Sequence, residues 1–569
     1  MRSTLTALIV LLILSFTFRE DTFYPQDYFA APVTGEMRLS GTFGELRPGH
    51  FHAGIDIKGE VGDGLLAAAA GYVSRITVSP DGYGKVIYLS HPNGYYTVYA
   101  HMDHFSPELE AYVRSHQYAE EAYAVDLYPE PGQFTFEKGA LLGAMGMTGR
   151  SYGPHLHFEV RDKLGELVVN PLNFGLPVAD SRPPFMQRLR LYAIDEQGGA
   201  SVLKEAGLRE VRAGFFSLAQ GDTLYTYAPK ASLGLEVFDQ QNGAANRNGI
   251  CDLKLFYNDS LAFDFNMAHF RREETRYLNA HLDYAALWES GHYFNRAYRL
   301  PGNALSNYPK QEGIITLRPG AAVRARLEAS DIAGNTAELS FWLKRLPGEI
   351  KEHRPFYNYY LPYDAASIIQ TPTLYLHFPD SSLYESLYFD YEPVLEDSYG
   401  VYSLVHHIHY PSTPVHHSFQ IGIRPTLLIP DHLKDKAFIA YCSGNSIVNC
   451  GGAWEAGFLQ TRARSFGAYC ILADEQPPVI EPLNLQNDMG RKASVAFRIS
   501  DNFETAGNVP GLQYRGTIDG YWVLFEYDAK RGRLEYFFED TLAKGEHQLS
   551  LEVKDALGNV TVFEQRFRR

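Results

Sequence analysis

"GYVSRITVSPDGYGKVIYLSHPNGYYTVYAHM", Gly71 to Met102, decides how the first part of the chain folds. Apolar and polar residues alternate through three short runs, the pattern of strands with one buried face. Pro80-Asp81-Gly82 and Pro92-Asn93-Gly94 separate the runs and supply turn residues for tight reversals. The stretch therefore reads as three consecutive antiparallel strands. His101 stands at the end of the third, after the alternating Tyr96-Thr97-Val98-Tyr99.

Working outward, "SYGPHLHFEV" (Ser151 to Val160) carries His155 and His157 two apart. On a strand, residues i and i+2 share a face. Leu156 and Phe158 then face a core while the two imidazoles face together into something else. A His-x-His pair alone is weak evidence of a site. Upstream, "GHFHAGIDIKG" (Gly49 to Gly59) puts His52 and Asp56 on one face of an extended segment, with Ile55 and Ile57 on the other. His50 shares their parity, so periodicity does not separate it from His52. His104, after His101, has no partner spacing in its favour. One Asp and at least four His in one β-rich region suffice for a catalytic zinc site with three protein ligands and an open position.

The whole chain has 569 residues, too many for one core, so several domains are expected. With 49 Gly and 31 Pro, most segments read as short strands and turns. A formal net charge of -16 without a basic stripe excludes nucleic acid as a partner. At the N-terminus Arg2 precedes an apolar run from Leu5 to Phe18, ended by Arg19, Glu20 and Asp21. Residues 1–18 are read as a signal peptide whose cleavage site is open, with no Cys after it for a lipoprotein site. The remainder is then expected to be exported: periplasmic, envelope-associated or extracellular. Four cysteines, Cys251, Cys442, Cys450 and Cys470, allow three pairings, and "CSGNSIVNC" offers a short loop between Cys442 and Cys450.

"SPELEAYVRSHQYAEEAY" (Ser106 to Tyr123) interrupts the strands with a helix, Ser106 as N-cap and Pro107 at its first position. It reads as a packing element behind the sheet, or as a wall of a groove. Beyond it an internal repeat emerges. "DSRPPFMQRLRLY" (Asp180 to Tyr192) matches "DEQPPVIEPLNLQ" (Asp474 to Gln486), and "LEASDIAGNTAELSFWL" (Leu327 to Leu343) matches "LEVKDALGNVTVFEQRF" (Leu551 to Phe567). Each copy opens with Pro-Pro and closes with an Asp-x-x-Gly-Asn turn between two strands, the outline of a β-sandwich used twice. No motif in these modules carries chemistry. Between them, "VHHIHYPSTPVHHSF" holds His406, His407, His409, His416 and His417. It reads as a hairpin with its polar side chains in solvent. A second metal site is the other reading, weakened by the lack of a carboxylate or Cys.

His52-x-x-x-Asp56, Tyr99-Ala100-His101 and Gly153-Pro154-His155-Leu156-His157-Phe158-Glu159 resemble, in order, the signature motifs of the LytM/lysostaphin-type (M23) zinc metallopeptidases. The resemblance covers about residues 29–176 and implies a mainly β chain. A small antiparallel β-sheet catalytic domain of the LytM, duplicated-hybrid-motif type would be followed by three β-sandwich (Ig-like) domains at 180–347, 348–473 and 474–569. It implies Zn2+ on His52, Asp56 and His157, with His101 and His155 as unligated catalytic histidines, and it demotes His50. Glu159 is either an acceptor behind His157 or an exposed strand-end charge. The implied activity is hydrolysis of peptidoglycan peptide bonds, stem-peptide cross-links among them, by metal-activated water. A catalytically silent wall-binding scaffold, or a regulator of other wall hydrolases, is the alternative. The C-terminal modules would serve as spacers or as surfaces for wall or protein partners.

Overall fold

The structure, a computed structural model, describes residues 24–308, 311–348, 356–395 and 400–569. The apolar segment 1–18 lies outside them. Among the described residues no helix is long and apolar enough to cross a membrane.

The expected three-strand meander is present as Gly71–Val78, Lys85–Ser90 and Tyr96–Phe105. It forms one side of a larger antiparallel sheet, ordered Leu39–Gly41, Ile55–Lys58, His155–Arg161, Tyr96–Phe105, Lys85–Ser90, Gly71–Val78. The His155–Arg161 strand is thus central. His157 lies opposite Asp56 on one side and Ala100 on the other. Ile55, Ile57, Tyr99, Leu156 and Phe158 are completely buried on the opposite face. Alternation at period two drives that face into the core and leaves the polar face for the site.

The helix spans Pro107–Glu120 with Pro at its start; Ser106 stands at the N-cap without a side-chain capping bond. It buries Leu109 and Val113. Its outer face holds the last domain, with which it makes several contacts. Glu539 accepts from Arg114 and Tyr118, Arg515 pairs with Glu121, and Trp522 meets Tyr118 edge-on at 5.1 Å between ring centroids. The chain therefore folds back on itself.

The module that follows builds its own 11-stranded sheet between Phe185 and Arg345, yet it is joined to the first domain. His269–Arg271 pairs with Leu167–Val169 of the first domain, and one hydrophobic core runs through both. The next unit has its own core between two sheets, and the last has a third core between two four-stranded sheets.

Two sequence readings change here. The histidine-rich stretch is not a solvated hairpin, because Val405–Ile408 and Pro414–Ile423 belong to different sheets. His406 is fully buried and its Nδ1 meets the Tyr391 hydroxyl at 2.9 Å. His416 is buried against Tyr384 and stacks on Tyr277 at 4.3 Å between centroids. No candidate metal cluster among the described residues includes these histidines. The cysteine spacing also misleads. Cys442 faces Cys470 on the neighbouring strand, Sγ to Sγ 3.9 Å, rather than Cys450, whose Sγ turns to the Val448 carbonyl.

Burial pushes both His406 and His416 down to about 4, below the roughly 6.5 of an exposed imidazole. The unfolded chain therefore takes up protons first as the pH drops. Their contribution to stability is complete above about pH 6.5 and is lost as the pH falls toward about 4, up to about 3 kcal/mol for one such group. His406→Gln, which keeps a partner for Tyr391, should flatten the acid-induced fall in melting temperature of this domain. Calorimetry over that range checks it; an unchanged slope would place the acid sensitivity elsewhere.

Candidate metal centre

His52, Asp56 and His157 converge, all three buried. His52 Nε2 lies 3.0 Å from Asp56 Oδ1 and 3.0 Å from His157 Nδ1, and His157 Nδ1 lies 2.9 Å from Asp56 Oδ1. The sheet register supplies Asp56 and His157, and the loop before Ile55–Lys58 supplies His52. That loop crosses the His155–Arg161 strand at Gly54. A Cβ there would lie 2.3 Å from the Phe158 carbonyl oxygen and 2.9 Å from Glu159 Cγ. Only a glycine admits this approach.

The outer atoms of both imidazoles fix their protons. His52 Nδ1 faces the Thr42 carbonyl at 2.7 Å, an acceptor only, so Nδ1 carries the hydrogen. His157 Nε2 faces Glu159 Oε1 at 2.9 Å. Burial works to raise the Glu159 carboxyl, but Arg161 and His157 outweigh it and hold Glu159 well below the usual carboxylate range. An ionised carboxylate accepts only, so His157 Nε2 also carries the hydrogen. With neutral imidazoles, the three inward atoms then offer nothing but lone pairs to one another. This arrangement calls for a cation at its centre.

Two imidazole nitrogens and one carboxylate oxygen are a donor set that suits zinc. Donors about 2 Å from a tetrahedral ion stand about 3.3 Å apart, close to the separations here. Without the ion a proton takes its place. Burial lowers His157, but Asp56 and Glu159 more than reverse it and carry the imidazole up to about 9. Burial takes His52 down to about 4. For Asp56, burial raises the carboxyl, but His52 and His157 prevail and hold it well below its ordinary value.

His155 and His101 flank this triad. His155 Nδ1 donates to the Gly153 carbonyl at 2.8 Å, and its Nε2 stands 3.6 Å from Asp56 Oδ1. His101 Nδ1 donates to the Thr148 carbonyl at 2.9 Å, and the two rings lie 4.8 Å apart by centroid. Strand parity would send His101 to the core with Tyr99. It does not go there because the strand bulges: Ala100 and His101, between Tyr99 and Met102, oppose the single Val86 between Lys85 and Ile87, and His101 adopts φ 61°. A left-handed non-glycine residue costs about 1–3 kcal/mol, held here in a ring of site residues. Burial, then His157 and His155, lower His101 to about 3, and burial lowers His155. Both are neutral imidazoles whose Nε2 keeps a free lone pair.

Glu159 resolves as a buried acceptor, completely inaccessible, shared by His157, Tyr83 (2.5 Å) and Arg161 (2.6 Å). His50 is exposed and bonds locally to the Pro48 carbonyl, and His104 is exposed beside Asp103. Sequence reading missed Arg47, which donates to Asp56 Oδ2 at 2.5 Å and to Glu45. It also missed Tyr83 and Arg161. Tyr83 sits in the turn after Pro80-Asp81-Gly82, where nothing in the spacing marks it.

Gly54→Ala is expected to force the loop off the strand and reduce bound zinc from about one ion per chain to a small fraction, read by mass spectrometry of the metal with circular dichroism as a folding control. Glu159→Gln should weaken zinc affinity about 10–100-fold, read by competition with a chromophoric chelator. Unchanged affinity would mean that Glu159 does not set the His157 tautomer.

Residues 50–119 match the family model described as Peptidase family M23, and residues 358–474 that of a Zu5-like domain. The DD-carboxypeptidase/endopeptidase Mpg of Neisseria meningitidis is 32% identical over 148 residues, 25% of this chain and 28% of that protein. The murein hydrolase activator NlpD of Escherichia coli is 32% identical over 139 residues, 24% of this chain and 29% of that one. A solved catalytic domain of the prophage-encoded M23 protein EnpA from Enterococcus faecalis is 25% identical, covers 27% of this chain and 98% of that one, and gives a TM-score of 0.19. The chain spans less than a third of the length of the curated relatives it matches. The chain therefore contains a domain that matches peptidase family M23, with additional β-sheet domains on its C-terminal side.

Proposed function

We propose that the chain is an exported zinc endopeptidase that hydrolyses peptide bonds of cell-wall peptidoglycan, stem-peptide cross-links being the expected substrate. The observation that carries this reading is the pair of neutral imidazoles, His101 and His155, set beside a triad whose inward atoms require a cation. His52, Asp56 and His157 would hold the zinc. Bound there, it supplies a Lewis acid for the scissile carbonyl and lowers the pKa of water. Arg47 and Glu159 keep the carboxylate and the imidazole of the triad oriented. Each Nε2 lone pair can accept a proton from an attacking water whose own pKa is lowered, and the resulting imidazolium can stabilise a developing oxyanion or return the proton to the leaving amine. The substrate class is supported by what the relatives are named for, a DD-endopeptidase activity and activation of murein hydrolases. The same names support export, since murein lies outside the cytoplasm.

The NlpD likeness keeps a second reading in view, a regulator that binds wall or a wall hydrolase without turnover. The complete set of His52, Asp56, His157, His101 and His155 favours the enzyme. Digestion of defined cross-linked muropeptides, with products identified by mass spectrometry, decides between them. Cleavage is expected, to be abolished by chelation and restored by zinc. His155→Ala should lower kcat by about 10²–10⁴-fold with zinc content intact. A zinc-loaded chain that leaves every muropeptide whole would sink the enzyme reading.

A further inference from the structure

The repeated modules share more than their sequence motifs. In the first copy, one carboxylate oxygen from each of Asp180, Asp239 and Asp331 lies within 4.8 Å of the other two; in the second, Asp474, Asp501 and Asp555 do the same. Asp180 and Asp474 open the two matched Pro-Pro segments, and Asp331 and Asp555 open the matched Gly-Asn turns. The third member has no motif, yet the fold makes it equivalent. Phe185, five residues after Asp180, pairs with Phe238, and Asp239 follows. Val479, five residues after Asp474, pairs with Ser500, and Asp501 follows. The turn asparagine clamps its aspartate identically in both. Asn335 donates from N and Nδ2 to the two oxygens of Asp331 at 2.9 and 2.8 Å, and Asn559 to those of Asp555, both at 2.7 Å.

Aspartates crowd on many surfaces without binding anything, so the buried atoms matter here. Asp239 is only 3% exposed, and its Oδ1 is buried without a hydrogen-bond partner. Asp501 Oδ1 is likewise buried and unpartnered. Asn248, whose backbone pairs with Asp239, leaves both side-chain polar atoms buried and unpartnered. A buried carboxylate oxygen with no donor is strongly unfavourable. A cavity of about 100 Å³ adjoins Asp180, Asp239 and Asp331, closed on its other side by Thr42, Asn170 and Leu176 of the first domain. Each cluster thus sits where one domain hands over to the next. In the second copy Asp474 follows directly on the Gly467–Ala473 strand, and Lys436 of the preceding unit reaches the Leu557 carbonyl and Asn559 Oδ1.

We propose that each triad is a calcium site that locks a domain joint: Asp180, Asp239 and Asp331 between the first domain and the sheet after it, and Asp474, Asp501 and Asp555 between the third unit and the last. All donors are oxygens, which selects a hard cation over zinc. A lax, carboxylate-rich site at a joint suits calcium better than magnesium, which demands tight octahedral geometry and keeps its water.

Equilibrium dialysis of the zinc-loaded full chain against radioactive calcium is the test. About two calcium ions per chain are expected, with affinity in the roughly 10⁻⁴–10⁻³ M range of extracellular modules. Asp239→Asn and Asp501→Asn should each remove one, and calcium but not magnesium should raise the melting temperature of the wild-type chain. Absence of saturable uptake by the wild-type chain, uptake unchanged in the double variant, or equal binding of magnesium would each overturn the proposal. The wild-type measurements need no variant, so a misfolded substitution leaves the question decidable. Muropeptide cleavage is not the readout, so this proposal and the peptidase reading stand or fall separately.

Discussion

Three lone pairs pointed at one another govern the first domain. Thr42 and Glu159 take up the outer hydrogens of His52 and His157, so the inner nitrogens meet Asp56 without a proton to share. In a buried place this is tolerable only with positive charge at the centre. The sheet brings the donors together, since register sets His157 opposite Asp56 and a glycine lets the His52 loop cross the strand at backbone distance. The buried Glu159–Arg161 pair behind His157 then has a clear purpose. Arg161 keeps Glu159 ionised, and an ionised Glu159 keeps the hydrogen on the far side of the ring.

Much of this was readable from residue patterns, for physical reasons that differ from one residue to the next. Period-two alternation places Asp56, His155 and His157 on one face because an unbroken strand obeys it. His101 breaks the rule: it reaches the site through a bulge and a left-handed backbone angle, which alternation does not encode. The family resemblance, not the periodicity, singled it out. Glu159 was evenly balanced because parity gives the face of a residue but not the depth of the strand in the sheet. Arg47 and Tyr83 come from turns and a short hairpin, whose side chains find Asp56 and Glu159 only through tertiary folding. The histidine-rich stretch misled for a related reason. A Pro-containing connection between two strands looks the same whether they pair with each other or cross between sheets.

The repeated modules carry a second lesson. Their matched ends were visible as Pro-Pro and Asp-x-x-Gly-Asn, and four of the six clustered aspartates lie in those motifs. Asp239 and Asp501 do not, and only the strand register exposes their equivalence. The first module is also bonded into the sheet of the first domain and shares its core, so it forms part of the foundation of the site rather than a tethered accessory.

Lys530, near the far end of the chain, donates to the carbonyls of Met147 (3.1 Å) and Ser151 (2.5 Å), in the loop that leads to His155. Nearly four hundred residues separate the partners. A ribosome that has finished the strands of the His52, Asp56 and His157 cluster has yet to make the group that steadies the approach to them. The approach to the site gains this support only once the module that carries Lys530 has been made, and any cut that frees that module removes it without touching His52, Asp56 or His157.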